Sequence, residues 1–348
     1  MNGHRLRTFA AAALLLLSGC LPYSCRRQES TALTPADSLS RALASSIPMD
    51  TLALAWSRPI GDERGNAYPR TVRFGSTRDS PVYLGDAEQA LVFVFDPAGA
   101  PIDTFATADI PYLAGVRGDT LAVFEPEAPA MHFFVRGALT GTVPIEDPER
   151  SETALAYGAF GGNPGNGAIY YKRVDPEAGG FVAGIDPSGH ATTRQSLPGP
   201  HWRHAGMLRF WGDSLLSLSG FRPVVDVIAQ DGMLDTLALH GFDSPMLARS
   251  RSWMLGDIHQ APLLTPSAAA ENDLLFVLNL RAGWLRIDAF DRRGRLVRRL
   301  TEPDRAWDAS FFPQDLDVRS RADGTYVIAV AVSSPDPELR LYIWRPSR

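Results

Sequence analysis

An all-β chain of six repeated four-stranded units is the fold this sequence predicts, on three observations. From residue 51 onward, polar turns, apolar strands and Gly-marked turns recur in one loose order. The sixth unit ends one strand short. Residues 51–56, Thr-Leu-Ala-Leu-Ala-Trp, alternate like a strand and stand ahead of the first unit without a neighbouring partner. Pairing them beside residues 339–344 completes the sixth unit from the opposite end of the chain. Such a closure removes an exposed sheet edge, and it defines a six-bladed β-propeller whose N-terminal strand closes the last blade.

The units follow in order. In the first, Asp79-Ser80 leads into strands at 81–86 and 91–95, the turn Asp96-Pro97-Ala98-Gly99, and a strand at 100–105. The second turns at Gly118-Asp119 and continues with strands at 120–124, 131–135 and 139–143. The third turns at Asn166-Gly167, with strands at 168–171 and 181–185, the turn Asp186-Pro187-Ser188-Gly189, and a strand at 191–197. Gly212-Asp213 opens the fourth, with strands at 214–218, 224–228 and 233–239 around the turn Gln230-Asp231-Gly232. Asn272-Asp273 opens the fifth, with strands at 274–278, 284–290 and 295–300 around the turn Asp291-Arg292-Arg293-Gly294. Asp323-Gly324 opens the sixth, with strands at 325–332 and 339–344. The stretch before each polar turn, such as 71–74 or 314–318, supplies the innermost strand.

The Asp-Pro-x-Gly segments read as tight turns, because Pro presets φ and Gly accepts φ > 0. A calcium loop of the EF-hand type would need alternating carboxylates and a closing Glu. The glycine-rich stretch 161–167 opens no helix and lacks a following Lys, so it is a loop and no phosphate cradle.

The chain begins differently. Arg5 and Arg7 precede an apolar run from 9 to 17, which is too short to span a bilayer as a helix. It has the form of a signal peptide. Its ending, Leu17-Ser18-Gly19-Cys20, resembles the lipobox of bacterial lipoproteins. That resemblance implies a signal peptide over 1–19, acylation of Cys20 and a membrane partner held through lipid. Leu21 stands where an aspartate would signal inner-membrane retention, which favours an outer-membrane location facing periplasm or cell surface. Residues 20–50 read as a lipidated tether with one short helix: Thr34 caps, Pro35 takes the first position, and Leu39, Leu43 and Ile47 form a stripe that could lie on the domain. The propeller then occupies 51–346.

With 348 residues and a formal charge of -5, the chain can bury a sizeable core and carries no nucleic-acid footprint. Lys172 is the single lysine; arginine supplies the other positive charges. The cysteines are Cys20 and Cys25, so the fold has no internal disulfide. The expected state is a monomer.

Residues 82–86, Val-Tyr-Leu-Gly-Asp, followed by Val92-Phe93-Val94-Phe95-Asp96-Pro97-Ala98-Gly99, resemble an NHL-type blade, as do 285–291 with Gly294. The resemblance implies a divergent six-bladed propeller of the NHL type. Ligands of propellers meet the face made by loops between blades and loops between second and third strands. Here that face gathers the candidate ligand-binding residues Arg64, Tyr68, Arg70, Trp202, Arg203, Arg281 and Trp307, with Tyr112 and Tyr157 beside them. Aromatic and Arg side chains are enriched in binding hot spots. The long connection 240–266 is expected to cap part of the channel.

Gly-x-Ser-x-Gly and His-Glu-x-x-His signatures are missing, so no catalytic residue is assigned. The sequence is read as a lipid-anchored extracytoplasmic binding or scaffold module for a protein, peptide or glycan, leaning away from an enzyme and needing no cofactor. The alternative is a metal-dependent lyase or lactonase in the channel. It would take one divalent metal such as zinc on His201, His204 and His259, since some NHL-type propellers are zinc lyases. A lactonase form would recruit Glu63, Asn279 and Asp308.

Overall fold

A computed structural model describes residues 35–61, 66–77, 79–161, 168–255, 261–302 and 307–346. Cys20, Glu63, Arg64, His259 and the loop 162–167 lie outside the described residues. The chain enters through helix α1 (Pro35–Ser46) and strands β1 (Met49–Thr51) and β2 (Ala53–Pro59). Blade 1 holds β3 (Pro69–Phe74), β4 (Val82–Asp86), β5 (Leu91–Phe95) and β6 (Pro101–Ala106). Blade 2 holds β7 (Tyr112–Arg117), β8 (Thr120–Glu125), β9 (Ala130–Val135) and β10 (Ala138–Pro144). Blade 3 holds β11 (Leu155–Gly161), β12 (Ala168–Asp175), β13 (Gly179–Ile185) and β14 (Ala191–Leu197). Blade 4 holds β15 (Leu208–Trp211), β16 (Ser214–Leu218), β17 (Val224–Ile228) and β18 (Leu234–Ala238). Helix α2 (Leu247–Met254) then precedes blade 5, made of β19 (Ala268–Glu271), β20 (Leu274–Leu278), β21 (Arg286–Phe290) and β22 (Leu296–Thr301). Blade 6 holds β23 (Phe312–Ser320), β24 (Tyr326–Ser334) and β25 (Glu338–Trp344).

The fold is the six-bladed propeller that the repeats predict. Its fourth strand in blade 6 is β2, antiparallel to β25 with Ala53 opposite Ile343 and Pro59 opposite Glu338. One feature goes beyond the expected closure. β1 pairs in parallel with β22 as a fifth strand of blade 5, with Met49 opposite Arg299. Leu52, between β1 and β2, is fully buried among core residues of blades 5 and 6. A buried leucine contributes about 1.5–3 kcal/mol, so three adjacent segments staple one seam. Met49-Asp50-Thr51 is too short for period-2 alternation to betray it.

The core lies between blades rather than inside one sheet. Phe276, Leu285 and Ile287 of blade 5 meet Ile328, Val330 and Trp344 of blade 6. Near the axis the wedge narrows and only glycine fits at some positions. A side-chain carbon on Gly115 would sit 1.9 Å from the Phe160 carbonyl oxygen of the next blade. The outer turns behave as hairpin chemistry demands. Asp96 Oδ1 accepts the N–H groups of Ala98 and Ala100 at 2.9 and 2.8 Å, while Gly99 adopts φ 86°.

Helix α1 presents a different face from the one its leucines suggest. Asp37 and Ala44 are buried and Ile47 is partly buried, whereas Leu39 and Leu43 are exposed. The reason is ionic as well as apolar: Arg251 of α2 holds Asp37 at 2.7 Å, and Arg41 approaches Asp243 at 3.5 Å. Residues 256–260 of the long connection lie outside the described residues. Its described part contacts blades 4 and 5, α1 and the loop between blades 3 and 4: Ser250 Oγ donates to the Phe221 carbonyl, Trp253 packs on Trp202, and His240 bridges to Arg295 beside the outer strand of blade 5.

Polar ties cross the blade boundaries. Asp315 of β23 is fully buried and accepts Arg73 Nη1 (2.9 Å) and Val72 N (3.0 Å) from blade 1 and Arg209 Nη2 (2.8 Å) from blade 4. Ser267, at the entry to blade 5, donates its hydroxyl to the same carboxylate. Burial opposes the Asp315 charge, but Arg209 and Arg73 outweigh it and hold the carboxyl below its usual range. Burial, with Arg73 nearby, pushes Arg209 down to about 10. Lys172 ties blade 3 to blade 4, its Nζ donating to the Gly206 carbonyl at 2.5 Å, Ser217 Oγ at 3.0 Å and the Leu218 carbonyl at 3.4 Å.

Two outcomes are expected. Asp315→Ala strands two buried guanidiniums, and should lower stability by about 3–5 kcal/mol in urea titrations at unchanged slope. Burial pushes the Lys172 amine from 10.5 down to about 7, against a smaller opposing pull from Asp226. Between those values the unfolded chain binds a proton that the folded chain has released, so stability rises with pH across that window. Denaturant titrations at about pH 7 and 9 should show the wild type gaining roughly 1–2 kcal/mol relative to Lys172→Met.

Candidate ligand-binding site at the channel mouth

Because successive strands alternate in direction, second-to-third strand loops and blade-to-blade loops leave the ring on one face. The innermost strands start at that face, so their first residues line the mouth of the channel. Four blades contribute there: Tyr68 precedes β3 and Arg70 is its second residue, Tyr112 opens β7, Tyr157 is third in β11, and Gln314 third in β23.

Arg70 lies at the centre of this group. Its Nη1 donates to Gln314 Oε1 at 3.1 Å, and its guanidinium lies 5.7 Å from the centroid of the Tyr112 ring. Gln314 is positioned in turn, since its Nε2 donates to the Tyr68 hydroxyl at 2.7 Å and to Ser333 Oγ at 3.0 Å. The Tyr68 oxygen therefore accepts one bond and keeps its own proton free to donate. Tyr157 resembles it: the backbone N–H of Gly206 faces its hydroxyl, and burial, then Tyr112, push its pKa up despite the opposing pull of Arg70. Lys172 Nζ stands 5.1 Å from the centroid of the Tyr157 ring.

The charges divide into two layers. Deeper in the channel, Arg73 and Arg209 face Asp315 and Asp317, so two cations meet two carboxylates. At the mouth, Arg70 has Gln314 and tyrosines for neighbours, and no carboxylate pairs with it among the described residues. A guanidinium cannot shed its proton at any ordinary pH. Among the described residues the mouth thus keeps a positive charge with no carboxylate against it, ringed by tyrosine hydroxyls.

The other sequence candidates are placed as follows. Trp202 packs edge-to-face on Trp253 with centroids 4.7 Å apart, and Trp253 continues to Phe221 at 5.5 Å. Arg203 is taken by Asp226, whose Oδ1 lies 2.8 Å from its Nη2. His201 and His204 begin and end one 3₁₀ turn. The His204 ring is fully buried, with Nδ1 3.0 Å from Asp226 Oδ2 and Nε2 2.8 Å from the Pro198 carbonyl, so both nitrogens face oxygen acceptors. Among the described residues no three His, Cys, Asp or Glu side chains gather as a metal-holding group. Arg281 donates to the Asp243 carbonyl and meets its carboxylate at 3.3 Å.

Trp307 is 59% exposed and lies edge-to-face with Trp284, itself 43% exposed, at 4.9 Å. Its seat requires glycine: Gly283 has φ 96°, and a side-chain carbon there would come within 2.2 Å of the Trp307 ring. Of the lactonase candidates, Glu63 lies outside the described residues, and Asn279 and Asp308 are occupied elsewhere. Asn279 Nδ2 donates to Asp288 at 2.6 Å and to the Asp243 carbonyl, and Asp308 Oδ1 accepts Ser310. On the loops, Asp86 and Asp175 accept nearby backbone N–H groups and so shape their turns.

The structure therefore brings Tyr68 and Arg70 together and leaves Trp202, Arg203, Arg281 and Trp307 outside their contact network. Sequence reasoning overlooked Gln314 and Ser333, the residues that orient Arg70 and Tyr68. A signal was present in the inner strands, where Arg73, Arg209, Asp315 and Asp317 interrupt apolar alternation. No helix among the described residues is long and apolar enough to cross a membrane.

The sequence matches no family model and no curated protein. Its fold is similar to catalytically inactive virginiamycin B lyase from Staphylococcus aureus, solved with quinupristin: TM-score 0.52, 10% identity, 83% of this chain and 99% of that one. A selenomethionine form of the same lyase gives TM-score 0.50 at 10% identity over the same shares. BBS1N, solved in complex with ARL6DN, gives TM-score 0.50 and 10% identity over 86% of this chain and 99% of that one. At such identities the likeness is one of fold alone: the chain is a six-bladed propeller.

Proposed function

We propose that this chain is a lipid-anchored extracytoplasmic binding module, a divergent propeller of the NHL type, whose channel mouth receives part of a protein, peptide or glycan. The observation that carries this reading is Arg70. A half-buried cation without an opposing charge is costly, and a recognition site is a reason to keep one. Gln314, Tyr112 and the charge-balanced layer beneath hold it in place before any ligand arrives, which lowers the ordering cost of binding. The exposed Trp284–Trp307 pair on the same face offers rigid apolar area at low entropic cost. Anchoring rests on Leu17-Ser18-Gly19-Cys20 and would leave this face free to meet partners beside an outer membrane.

The lyase or lactonase alternative rests on His201, His204 and His259. Elemental analysis of purified protein separates it, since that reading requires about one divalent metal per chain.

Two measurements test the proposal. Cells grown with an alkyne-tagged fatty acid should label the wild type and lose both label and membrane pelleting in Cys20→Ser. A photo-cross-linker at Tyr68 should capture a specific adduct in cells. One at Met233, in a turn on the opposite face, should not. Equal capture from both positions would remove the mouth from the function.

A further inference from the structure

We infer that the channel mouth takes the carboxylate group of its ligand, with Arg70 as the charge partner and tyrosine hydroxyls as neighbouring donors. This rests on the binding-module reading above and names the chemistry of that same site.

The argument begins with charge. Within the channel, Arg73 and Arg209 are matched by Asp315 and Asp317, and that layer has no cation to spare. Arg70 is the cation of this inner-strand group, with Gln314 and tyrosines around it. Lys172 stands behind the Tyr157 ring with its Nζ already committed to Gly206, Ser217 and Leu218. Among the described residues of this group Arg70 is the one cation left over, which suits an anion of one charge. A phosphate dianion paired with Arg70 alone would keep a net negative charge in a half-buried site.

Geometry agrees with charge. A guanidinium presents a planar fork that matches a planar carboxylate in two parallel hydrogen bonds. Gln314 Oε1 accepts from Nη1, and the Tyr112 hydroxyl is a second hydrogen-bond neighbour, so the guanidinium is held from two sides. The Tyr68 hydroxyl accepts from Gln314 Nε2, and the Tyr157 hydroxyl faces the Gly206 N–H. Each phenol thus has its oxygen supplied with a donor and its proton available to an incoming acceptor. The mouth is built of donors, and the Tyr112 ring beside Arg70 gives the ligand body an apolar wall.

The test uses intact protein in detergent micelles and titration calorimetry with matched probes. N-acetyl-trialanine is compared with its C-terminal amide, galacturonate with galactose, and inorganic phosphate is added alone. The expected result is that at least one carboxylate probe binds about tenfold or more tighter than its uncharged twin, the usual size of one charged hydrogen bond. Which pair shows it tells whether the carboxylate comes from a peptide end or an acidic sugar. Arg70→Gln should abolish the preference, and Arg70→Lys should keep part of it, because a point charge lacks the fork. Circular dichroism and the urea midpoint of each variant verify folding.

The inference is overturned if twins bind equally, if phosphate binds tighter than every carboxylate, or if Arg70→Gln keeps the preference. It is equally overturned if no carboxylate probe binds up to about 10 mM, that is, if every affinity is weaker than about 2.7 kcal/mol. These outcomes are separable from failure of the binding reading. Uncharged twins that bind and compete with the Tyr68 cross-link would retain the site and discard only its charge chemistry.

Discussion

The fold depends on one buried carboxylate. Asp315 receives donors from blade 1, blade 4 and the entry to blade 5 while belonging to blade 6 itself. A propeller closes by packing wedges, and apolar packing between wedges is tolerant of small rotations. A charge with five directed donors is not. Two guanidiniums, a hydroxyl and two backbone N–H groups converge on its two oxygens, which ties the inner strands of blades 1, 4 and 6 and the entry to blade 5 to one another across the axis. A buried ion group of this kind gives little net stability relative to an apolar plug, but it fixes one geometry among several near-equivalent ones.

That constraint also shapes the site. Because Arg73 and Arg209 are consumed by Asp315 and Asp317, the axis is electrically quiet below the mouth. Arg70, three residues before Arg73 on the same strand, lies outside that pairing and faces neutral donors and rings. The mouth is therefore rigid without being neutralised. Gln314, next to Asp315, extends the same order upward by holding both Arg70 and Tyr68.

The N-terminal segment serves the seam rather than a single blade. β1 extends blade 5, β2 completes blade 6, and Leu52 fills the wedge between them. Helix α1 is then held by Arg251 through Asp37, so its orientation follows an ion pair, and Leu39 and Leu43 face outward. The long connection between blades 4 and 5 is occupied with this docking.

The sequence by itself determined the blade count, the order of strands, the turn chemistry and the closure of blade 6 by the N-terminal strand, read at 51–56 where the structure has 53–59. Those features are local or periodic: a period of two marks a strand, Asp and Gly mark hairpin turns, and a missing strand at one end implies its donor at the other. It also placed Tyr68 and Arg70 on the face made by the blade-to-blade loops. Only the tertiary structure decided which face residues work together. Trp202, Arg203, Arg281 and Trp307 share their composition with Arg70, yet each has a neighbour more than a blade strand away in sequence: Trp253, Asp226, Asp243 and Trp284. Arg203 and Arg281 are matched by carboxylates and Arg70 is not, because charge pairing depends on distances between blades. Repeats set those blades around a ring, but the pairs across it are chosen only when the ring closes.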